Sequence, residues 1–89
     1  RSQRRRDMLE IKFKKQASKE LQRIQPKIRQ RIIDSIEKLA ANPTRADLDL
    51  KPLVGSSYFR MRVGEYRVIY DQDGQILGIR RIAPRGSAY

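Results

Sequence analysis

Side chains alternate with a period of two through residues 58–70, and this stretch constrains the fold more than any other. In a β-strand, successive side chains point to opposite faces of the sheet. The alternation therefore predicts a strand with two different faces. One face carries Phe59, Met61 and Val63. The other carries Tyr58, Arg60 and Arg62.

Gly64 and Glu65 interrupt the alternation where a tight turn would fit. Beyond them, a second strand places Tyr66, Val68 and Tyr70 on one face. Its other face carries Arg67 and Ile69. The pattern is typical of an antiparallel hairpin. Burial in a core explains its apolar face, whereas the face with cations and aromatics requires a separate explanation.

Three segments precede this hairpin with their own periodicities. Residues 9–13 alternate and predict a first strand, with Leu9, Ile11 and Phe13 on one face. Residues 14–25 and 27–41 carry apolar side chains three and four apart, which predicts two amphipathic helices. Pro26 suits the first turn of the second helix, and Asn42-Pro43 ends it. We expect a helical hairpin packed on one side of a sheet.

The remaining segments are a connector and a last strand. Residues 44–57 contain Pro52, Gly55 and two serines and are interpreted as a loop whose leucines contact the edge of the core. Asp73-Gly74 predicts a tight hairpin turn, since both residues tolerate positive φ. Residues 76–82 form the last strand, and Pro84 with Gly86 makes further pairing unfavourable.

Together these elements predict an α+β domain of two layers. The order is strand, helix, helix and a meander of three antiparallel strands, with the helical hairpin packed on one side of the sheet. The 89 residues suffice for one domain with one core. We assign this domain to residues 8–89 and interpret residues 1–7 as a tag or linker, or as a disordered basic extension.

The charge balance indicates a polyanionic partner. The chain has 21 Lys and Arg against 10 Asp and Glu, a formal net charge of +11. Residues 1–7 contribute four cations and one anion, so 17 cations and 9 anions remain without them, and the net charge is still +8. Such an excess favours nucleic acid or an assembly that contains it. A basic surface kept for solubility, or one neutralised by an acidic protein, is the alternative.

Residue types that are absent narrow the chemistry further. The chain has no Cys, which excludes disulfides, thiolate catalysis and Cys-based zinc sites. It has no His, the usual general base near neutral pH. Asp47 and Asp49 could contribute to a magnesium site, but such a site normally gathers more oxygen ligands, so solvated loop acids are the favoured interpretation. We therefore expect no metal and no cofactor. No stretch approaches the roughly 20 apolar residues that span a membrane, and a cytoplasmic location is expected.

Cations and tyrosines are concentrated in the second half of the chain. The candidates for anion or RNA contacts are Lys51, Arg60, Arg62, Arg67, Arg80, Arg81, Arg85 and Tyr89. Because neighbouring strands lie about 4.8 Å apart, three arginines on adjacent strands can surround one phosphate. The alternative is that Arg60 and Arg62 lie on the solvent-exposed face of an antiparallel sheet and that Lys51 is a solvated loop residue. Tyr58, Tyr66 and Tyr70 are expected to pack rather than to stack on bases.

The pattern resembles the RelE/ParE superfamily of toxins from bacterial toxin–antitoxin modules, over residues 8–89. The resemblance depends on the helical hairpin, Leu50-Lys-Pro-Leu53, the 58–70 stretch and the closing Arg85-x-x-x-Tyr89. It implies a RelE-like fold. RelE-like members cut mRNA in the ribosomal A site by attack of the 2′-OH on the scissile phosphate. ParE-like members keep the fold and poison DNA gyrase.

The resemblance also implies residue roles. Arg60, Arg62 and Arg67 would hold the phosphate and stabilise the developing negative charge. Tyr89 would orient the base and remove the 2′-OH proton, and Arg85 would assist the leaving 5′-oxygen, mainly electrostatically. Lys51, Arg80 and Arg81 would contact RNA or the ribosome. Two positions depart from the family: Pro84 stands where many relatives have His, and arginines replace the lysine pair of RelE.

The sequence thus predicts a toxin that acts as a ribosome-dependent endoribonuclease without metal or cofactor. Its expected partners are a cognate antitoxin, the ribosome and mRNA, with no membrane and no small molecule. The first alternative is a ParE-like gyrase poison, which inhibits without catalysis. The second is a basic RNA-binding module that does not cleave.

Overall fold

The computed structural model describes residues 9–42 and 47–84. Their elements follow the order strand, two helices and four strands, which makes an α+β fold of a sheet and two helices. The elements are β1 (Glu10–Phe13), α1 (Lys15–Gln22), α2 (Pro26–Ala41), β2 (Asp49–Pro52), β3 (Phe59–Val63), β4 (Tyr66–Asp73) and β5 (Ile76–Pro84). The predicted fold class is confirmed, with one more strand than expected.

The strands form one mixed sheet of five in the order β1-β5-β4-β3-β2. Strands β3 to β5 pair antiparallel with their sequence neighbours, which confirms the predicted meander of three strands. Strand β2, which was not predicted, adds a further antiparallel pairing with β3. Strand β1 pairs in parallel with β5 at the far edge. The prediction that Pro84 lies beyond the paired residues is wrong, because Pro84 pairs with Tyr66. It lies in the part of β5 that β1 does not pair, so one side of the strand is an open edge there, and a proline is tolerated at such an edge.

Strand β2 corrects the interpretation of residues 44–57 as a loop. Asp49 to Pro52 pair with Arg62 to Phe59 of β3, so that β2 forms the second edge of the sheet. A proline is tolerated on such an edge because its nitrogen need not donate to the ladder. Leu50 packs against the core from this strand, which fits the expectation that the leucines contact the core edge.

Two glycines make the tight turns of the meander. Gly64 has φ of +57° and lies in the turn between the paired residues Val63 and Tyr66, where the turn was predicted. Gly74 has φ of +63°, but the second turn lies one residue later than expected. Asp73 still pairs with Ile76, so the turn residues are Gly74 and Gln75. No described residue other than glycine has positive φ. Each turn therefore has positive φ only at its first residue, the glycine, as in type II′ turns.

The helices cover one face of the sheet and bury the core there. Helix α1 ends at Gln22, three residues before the predicted end, and α2 begins with Pro26 in its first turn. Arg29 donates a hydrogen bond of 3.1 Å to the carbonyl of Ile24 and so ties the link to α2. The fully buried side chains of this core are Ile32, Ile36, Leu39, Met61, Val68, Leu77, Ile79 and Ile82. The sheet face turned away from the helices, called the outer face below, carries the polar residues of β2, β3 and β4.

Candidate functional site

Strand register brings four of the predicted cations together on the outer face. Lys51 of β2 lies directly opposite Arg60 of β3, and Arg62 of β3 lies directly opposite Arg67 of β4. Side chains on opposite residues of neighbouring strands have Cβ atoms about 5 Å apart. We refer to Lys51, Arg60, Arg62 and Arg67 as the arginine face. The predicted grouping of three arginines on adjacent strands is confirmed, and the new strand β2 adds the lysine.

Asp49 orients one member of the arginine face. Its Oδ1 lies 3.5 Å from a terminal nitrogen of Arg60, whose side chain is only 13% exposed. Asp49 also stands directly opposite Arg62 on the neighbouring strand. A long side chain held by a carboxylate loses less rotamer freedom when it later meets a ligand. Asp49 is therefore placed to hold Arg60 in a defined position beside the more exposed Arg62.

Arg62 and Arg67 place two guanidinium groups directly opposite each other on this face. Arg62 is exposed and Arg67 is half-buried. An anion that lies between two guanidinium groups is attracted by both of them. Each guanidinium offers a fork of donors with a shape complementary to phosphate oxygens. The arrangement can hold a phosphate and stabilise charge that develops on it.

Ile69 lies on the outer face but is only 3% exposed. Its cross-strand neighbours are Arg60 and Arg81. Long basic side chains can cover apolar surface with their methylene groups while their charged ends remain in water. The predicted sharing of one face by Arg67 and Ile69 is confirmed, and Ile69 adds a small apolar patch beneath the cations.

The two arginines of β5 have different environments. Arg81 donates from Nε to Glu20 Oε2 of α1 over 2.9 Å, and its terminal nitrogen lies 2.8 Å from the same oxygen. Glu20 Oε1 also accepts the backbone N–H of Ile82 over 2.7 Å. Strand β1 pairs with β5 only as far as Ile79. Beyond that point the edge of β5 is open, and Glu20 accepts the hydrogen bond of an N–H on this edge. Contact of Arg81 with RNA stays a prediction.

The ionisation of this pair follows from its contacts. Burial alone would raise the pKa of Glu20, but hydrogen bonds from Arg81, Ile82 and Gln16 lower it below its usual value. The hydrogen bond to Glu20 raises the pKa of Arg81 despite the opposing effect of burial. Both side chains are therefore charged at neutral pH, and the pair links α1 to the sheet.

Arg80 remains on the outer face, beside the arginine face. Its terminal nitrogen lies 3.6 Å from Asp71 Oδ2, and its guanidinium carbon lies 4.3 Å from the centre of the Tyr58 ring. Tyr58 is thus the described tyrosine that shares this side with the cations, as predicted from its alternation with Phe59. Contact of Arg80 with RNA stays a prediction.

Tyr66 and Tyr70 lie on the helix side, as expected for packing residues. Tyr66 is partly buried against the core. Tyr70 is 5% exposed, and its ring stacks on Phe59 with centroids 5.5 Å apart. Burial raises the pKa of the Tyr70 hydroxyl, which keeps it protonated. Neither tyrosine is placed to take a proton at the arginine face.

Arg85 and Tyr89 lie outside the described residues, so their meeting with the arginine face stays a prediction. Within residues 9–42 and 47–84, no group of three or more Asp, Glu, His or Cys is arranged to hold a metal ion. Over the same ranges no helix is long and apolar enough to cross a membrane.

Sequence reasoning missed the carboxylates that organise these cations. Asp49, Asp71 and Glu20 each pair with an arginine of the sheet. The alternation of Leu48 and Leu50 with polar residues was a signal for strand β2, and hence for Asp49. Glu20 and Asp71 had no comparable signal. Arg81, the partner of Glu20, is distant in sequence, and Arg80, the partner of Asp71, lies at a bulge.

Comparisons with known proteins cover most of the chain. Residues 11–89 match the sequence profile of a family described as the ParE toxin of the type II toxin–antitoxin system parDE. The curated protein Toxin RelE3 of Methanocaldococcus jannaschii is 33% identical over 84 residues, which are 91% of this chain and 96% of that protein.

Two solved structures share the fold. The toxin chain in the archaeal RelE–RelB complex from Pyrococcus horikoshii OT3 superposes with a TM-score of 0.75 at 30% identity, covering 91% of this chain and 99% of that one. A chain of the toxin–antitoxin complex RelBE2 from Mycobacterium tuberculosis has a TM-score of 0.75 at 25% identity, covering 88% and 99%. The similarity thus extends over nearly the full length of both known chains.

Proposed function

The chain belongs to the RelE/ParE family of toxins from type II toxin–antitoxin systems, and we propose that it is a ribosome-dependent endoribonuclease that cleaves mRNA in the ribosomal A site. The observation that supports this activity is the arginine face, where Arg62 and Arg67 lie opposite each other beside Arg60 and Lys51. Its residue types and spacing suit a phosphodiester group that gains negative charge during reaction.

The proposed reaction is an internal transfer at phosphorus. The 2′-oxygen of one nucleotide attacks the adjacent phosphorus, the bond from phosphorus to the 5′-oxygen breaks, and a 2′,3′-cyclic phosphate and a 5′-OH result. One proton leaves the 2′-OH and one is gained by the 5′-oxygen. Between these steps the phosphorane carries extra negative charge, which Arg60, Arg62 and Arg67 stabilise as permanent cations.

Proton transfer is assigned to residues beyond the described part of the chain. In this proposal Tyr89 accepts the 2′-OH proton. Arg85 stabilises the leaving oxygen electrostatically, since a guanidinium rarely gives up its proton. Lys51, Arg80 and Arg81 add contacts to RNA or the ribosome. The support for these roles is the sequence resemblance of residues 85–89.

We further propose that a RelB-type antitoxin binds this protein and that its place of action is the cytoplasm. The structures from Pyrococcus horikoshii and Mycobacterium tuberculosis are toxin–antitoxin complexes. The high positive charge fits both proposed partners, because RNA is polyanionic and an antitoxin segment that competes with RNA would carry acidic residues.

The test is induced expression followed by mapping of RNA 5′ ends. Cuts within translated codons support the proposal. Arg62→Ala should abolish growth arrest and slow cleavage of ribosome-bound mRNA by about 100-fold or more, as for loss of one preorganised charge-stabilising group. Tyr89→Phe should have a similar effect because it removes the proton acceptor. Arg62 is exposed, so neither thermal unfolding nor solubility should change.

Arg23→Ala is the matched control, since Arg23 is exposed and follows α1 on the helix side. It should leave growth arrest intact. Undiminished cleavage by both Arg62→Ala and Tyr89→Phe would contradict the site assignment.

A ParE-like gyrase poison is the second candidate, and the description of the matching family as ParE favours it. That activity requires a surface complementary to gyrase and no phosphate-holding site. It predicts a DNA damage response while translation continues, with growth arrest retained in Tyr89→Phe. Absence of RNA cuts together with that response would replace the first proposal.

A further inference from the structure

A second cluster lies on the outer face next to the arginine face. It consists of Tyr58, Asp71, Gly78 and Arg80, and we call it the Tyr58 cluster. The guanidinium carbon of Arg80 is 4.3 Å from the centre of the Tyr58 ring. A terminal nitrogen of Arg80 is 3.6 Å from Asp71 Oδ2. The guanidinium of Arg80 thus contacts both an aromatic ring and a carboxylate.

The fold has two local features that build this cluster. The register between β4 and β5 shifts at Ile69/Tyr70, so that Arg80 has no direct partner while Arg81 and Ile79 do. Such a bulge re-aims the side chain of the extra residue. A Cβ at Gly78 would lie 2.5 Å from Asp71 Oδ1. The carboxylate of Asp71 can therefore lie over β5 only because residue 78 is glycine.

The charge of Arg80 is partly offset where it lies. Asp71 neutralises it locally, which makes it a weaker phosphate ligand than the exposed Arg62. What remains is a flat, delocalised group with about a third of its side chain (32%) exposed. Nucleobases stack on arginine planes and aromatic rings in single-stranded RNA recognition. A guanidinium already held by a ring and a carboxylate loses little further freedom on such stacking.

The position of the cluster relates it to the reacting phosphate. Tyr58 lies immediately before β3 and precedes Arg60 by two residues, a distance of about 7 Å along an extended chain. A nucleotide whose phosphate contacts Arg60 and Arg62 therefore has its neighbour within reach of Arg80.

We propose that the Tyr58 cluster is a base-stacking subsite, which takes the nucleobase next to the scissile phosphate on the partly exposed guanidinium of Arg80. This inference rests on the proposed ribonuclease function and deepens it by assigning how a neighbouring base is held. The ligand class is an unpaired nucleobase of single-stranded RNA, recognised by its π-face and without dependence on a particular base edge.

The experiment compares binding of two probes to the full chain at one salt concentration by fluorescence anisotropy. The probes are a labelled adenine pentanucleotide RNA and the matching ribose–phosphate pentamer without bases. Wild-type protein should prefer the probe with bases by about tenfold, the size expected for one stacked base. Arg80→Lys retains the charge and loses the plane, so it should bind both probes nearly equally with an unchanged salt dependence.

Three further variants separate stacking from other effects. Tyr58→Leu keeps apolar volume but removes the ring, and it should also reduce the preference for the probe with bases. Arg62→Ala should weaken binding of both probes by the same factor, because it acts on phosphate. Arg23→Lys, the matched control on the helix side, should retain the wild-type preference. Thermal unfolding of each variant establishes that the fold is intact.

Several outcomes would overturn the proposal. These are equal affinity of the wild type for both probes, an unchanged preference in both Arg80→Lys and Tyr58→Leu, or a loss in Arg80→Lys that is equal for the two probes. Cleavage of ribosome-bound mRNA by the wild type is measured in parallel. Cleavage without an Arg80-dependent preference refutes the stacking subsite alone, whereas the preference without cleavage refutes the ribonuclease function alone.

Discussion

Replacement of Glu20 should reveal how much the link between α1 and β5 contributes to stability. Its carboxylate accepts hydrogen bonds from the Arg81 side chain at 2.9 Å and from the Ile82 backbone at 2.7 Å. The Glu20 side chain is 14% exposed and that of Arg81 is 37% exposed. Hydrogen bonds to a charged group contribute about 1.5–3 kcal/mol, and the partial exposure of Arg81 reduces this value through solvent screening.

Glu20→Gln keeps an oxygen for the Ile82 N–H, but it removes the charge and places an NH2 group opposite the Arg81 and Gln16 donors, so their hydrogen bonds to Oε2 are lost. We expect it to lower the free energy of unfolding by about 1–2 kcal/mol. Glu20→Ala also leaves that N–H without its acceptor and should cost about 2–4 kcal/mol. Urea denaturation followed by circular dichroism measures both differences.

The effect should depend on pH with a definite sign. Contacts with Arg81, Ile82 and Gln16 hold the pKa of folded Glu20 below its usual value of 4.5. A depressed carboxyl pKa contributes stability above the unfolded pKa, and this contribution is lost as pH falls through the folded pKa. The difference in the free energy of unfolding between wild type and Glu20→Gln should therefore have its full value at pH 7 and should decrease below about pH 4.5.

Glu10→Gln is the matched control. Glu10 lies 3.8 Å from Lys12, and both side chains are more than half exposed, so its replacement should change stability by less than about 0.5 kcal/mol. The reasoning is refuted if Glu20→Gln is as stable as wild type at pH 7, or if its deficit is unchanged at pH 3.5.

Two further stability predictions concern the sheet. Gly78→Ala should lower the free energy of unfolding by about 1 kcal/mol, because its Cβ would displace Asp71 from Arg80. In an Asp71→Ala background the same substitution should lower it by less. Equal losses in the two backgrounds, measured by urea denaturation, would contradict this packing. Met61→Ala truncates a side chain with 0% exposure and should cost about 2–5 kcal/mol, whereas Val54→Ala, at a fully exposed position, should be neutral by the same measurement.

Local periodicity was sufficient for most of the secondary structure. The alternation in residues 58–70 predicts β3, its turn and most of β4, because side-chain direction in a strand depends only on position along it. The helices follow from their apolar spacing. Strand β2 was interpreted as a loop because it has only four residues and ends at Pro52, so its local signal is weak. Its pairing with β3 forms the strand nevertheless.

Turn position shows the same limit. Both turns are glycine turns, but the sequence Asp73-Gly74-Gln75 is compatible with a turn at either pair of residues. The observed pair, Gly74-Gln75, keeps Asp73 paired with Ile76. Pairing on both sides of a turn determines its register, and this information lies in two strands rather than in the turn.

The sequence by itself determined which residues share the arginine face within a strand. It also limited the side chains available for catalysis to Arg, Lys, Tyr, Ser, Thr and carboxylates, because His and Cys are absent. Only the tertiary structure decided which cations meet across strands and which are held by carboxylates. Arg81 turns to Glu20 on α1 and Arg80 to Asp71 and Tyr58, although they are neighbours in sequence. The physical reason is that a bulge and an unpaired strand edge, both products of sheet register, direct their side chains.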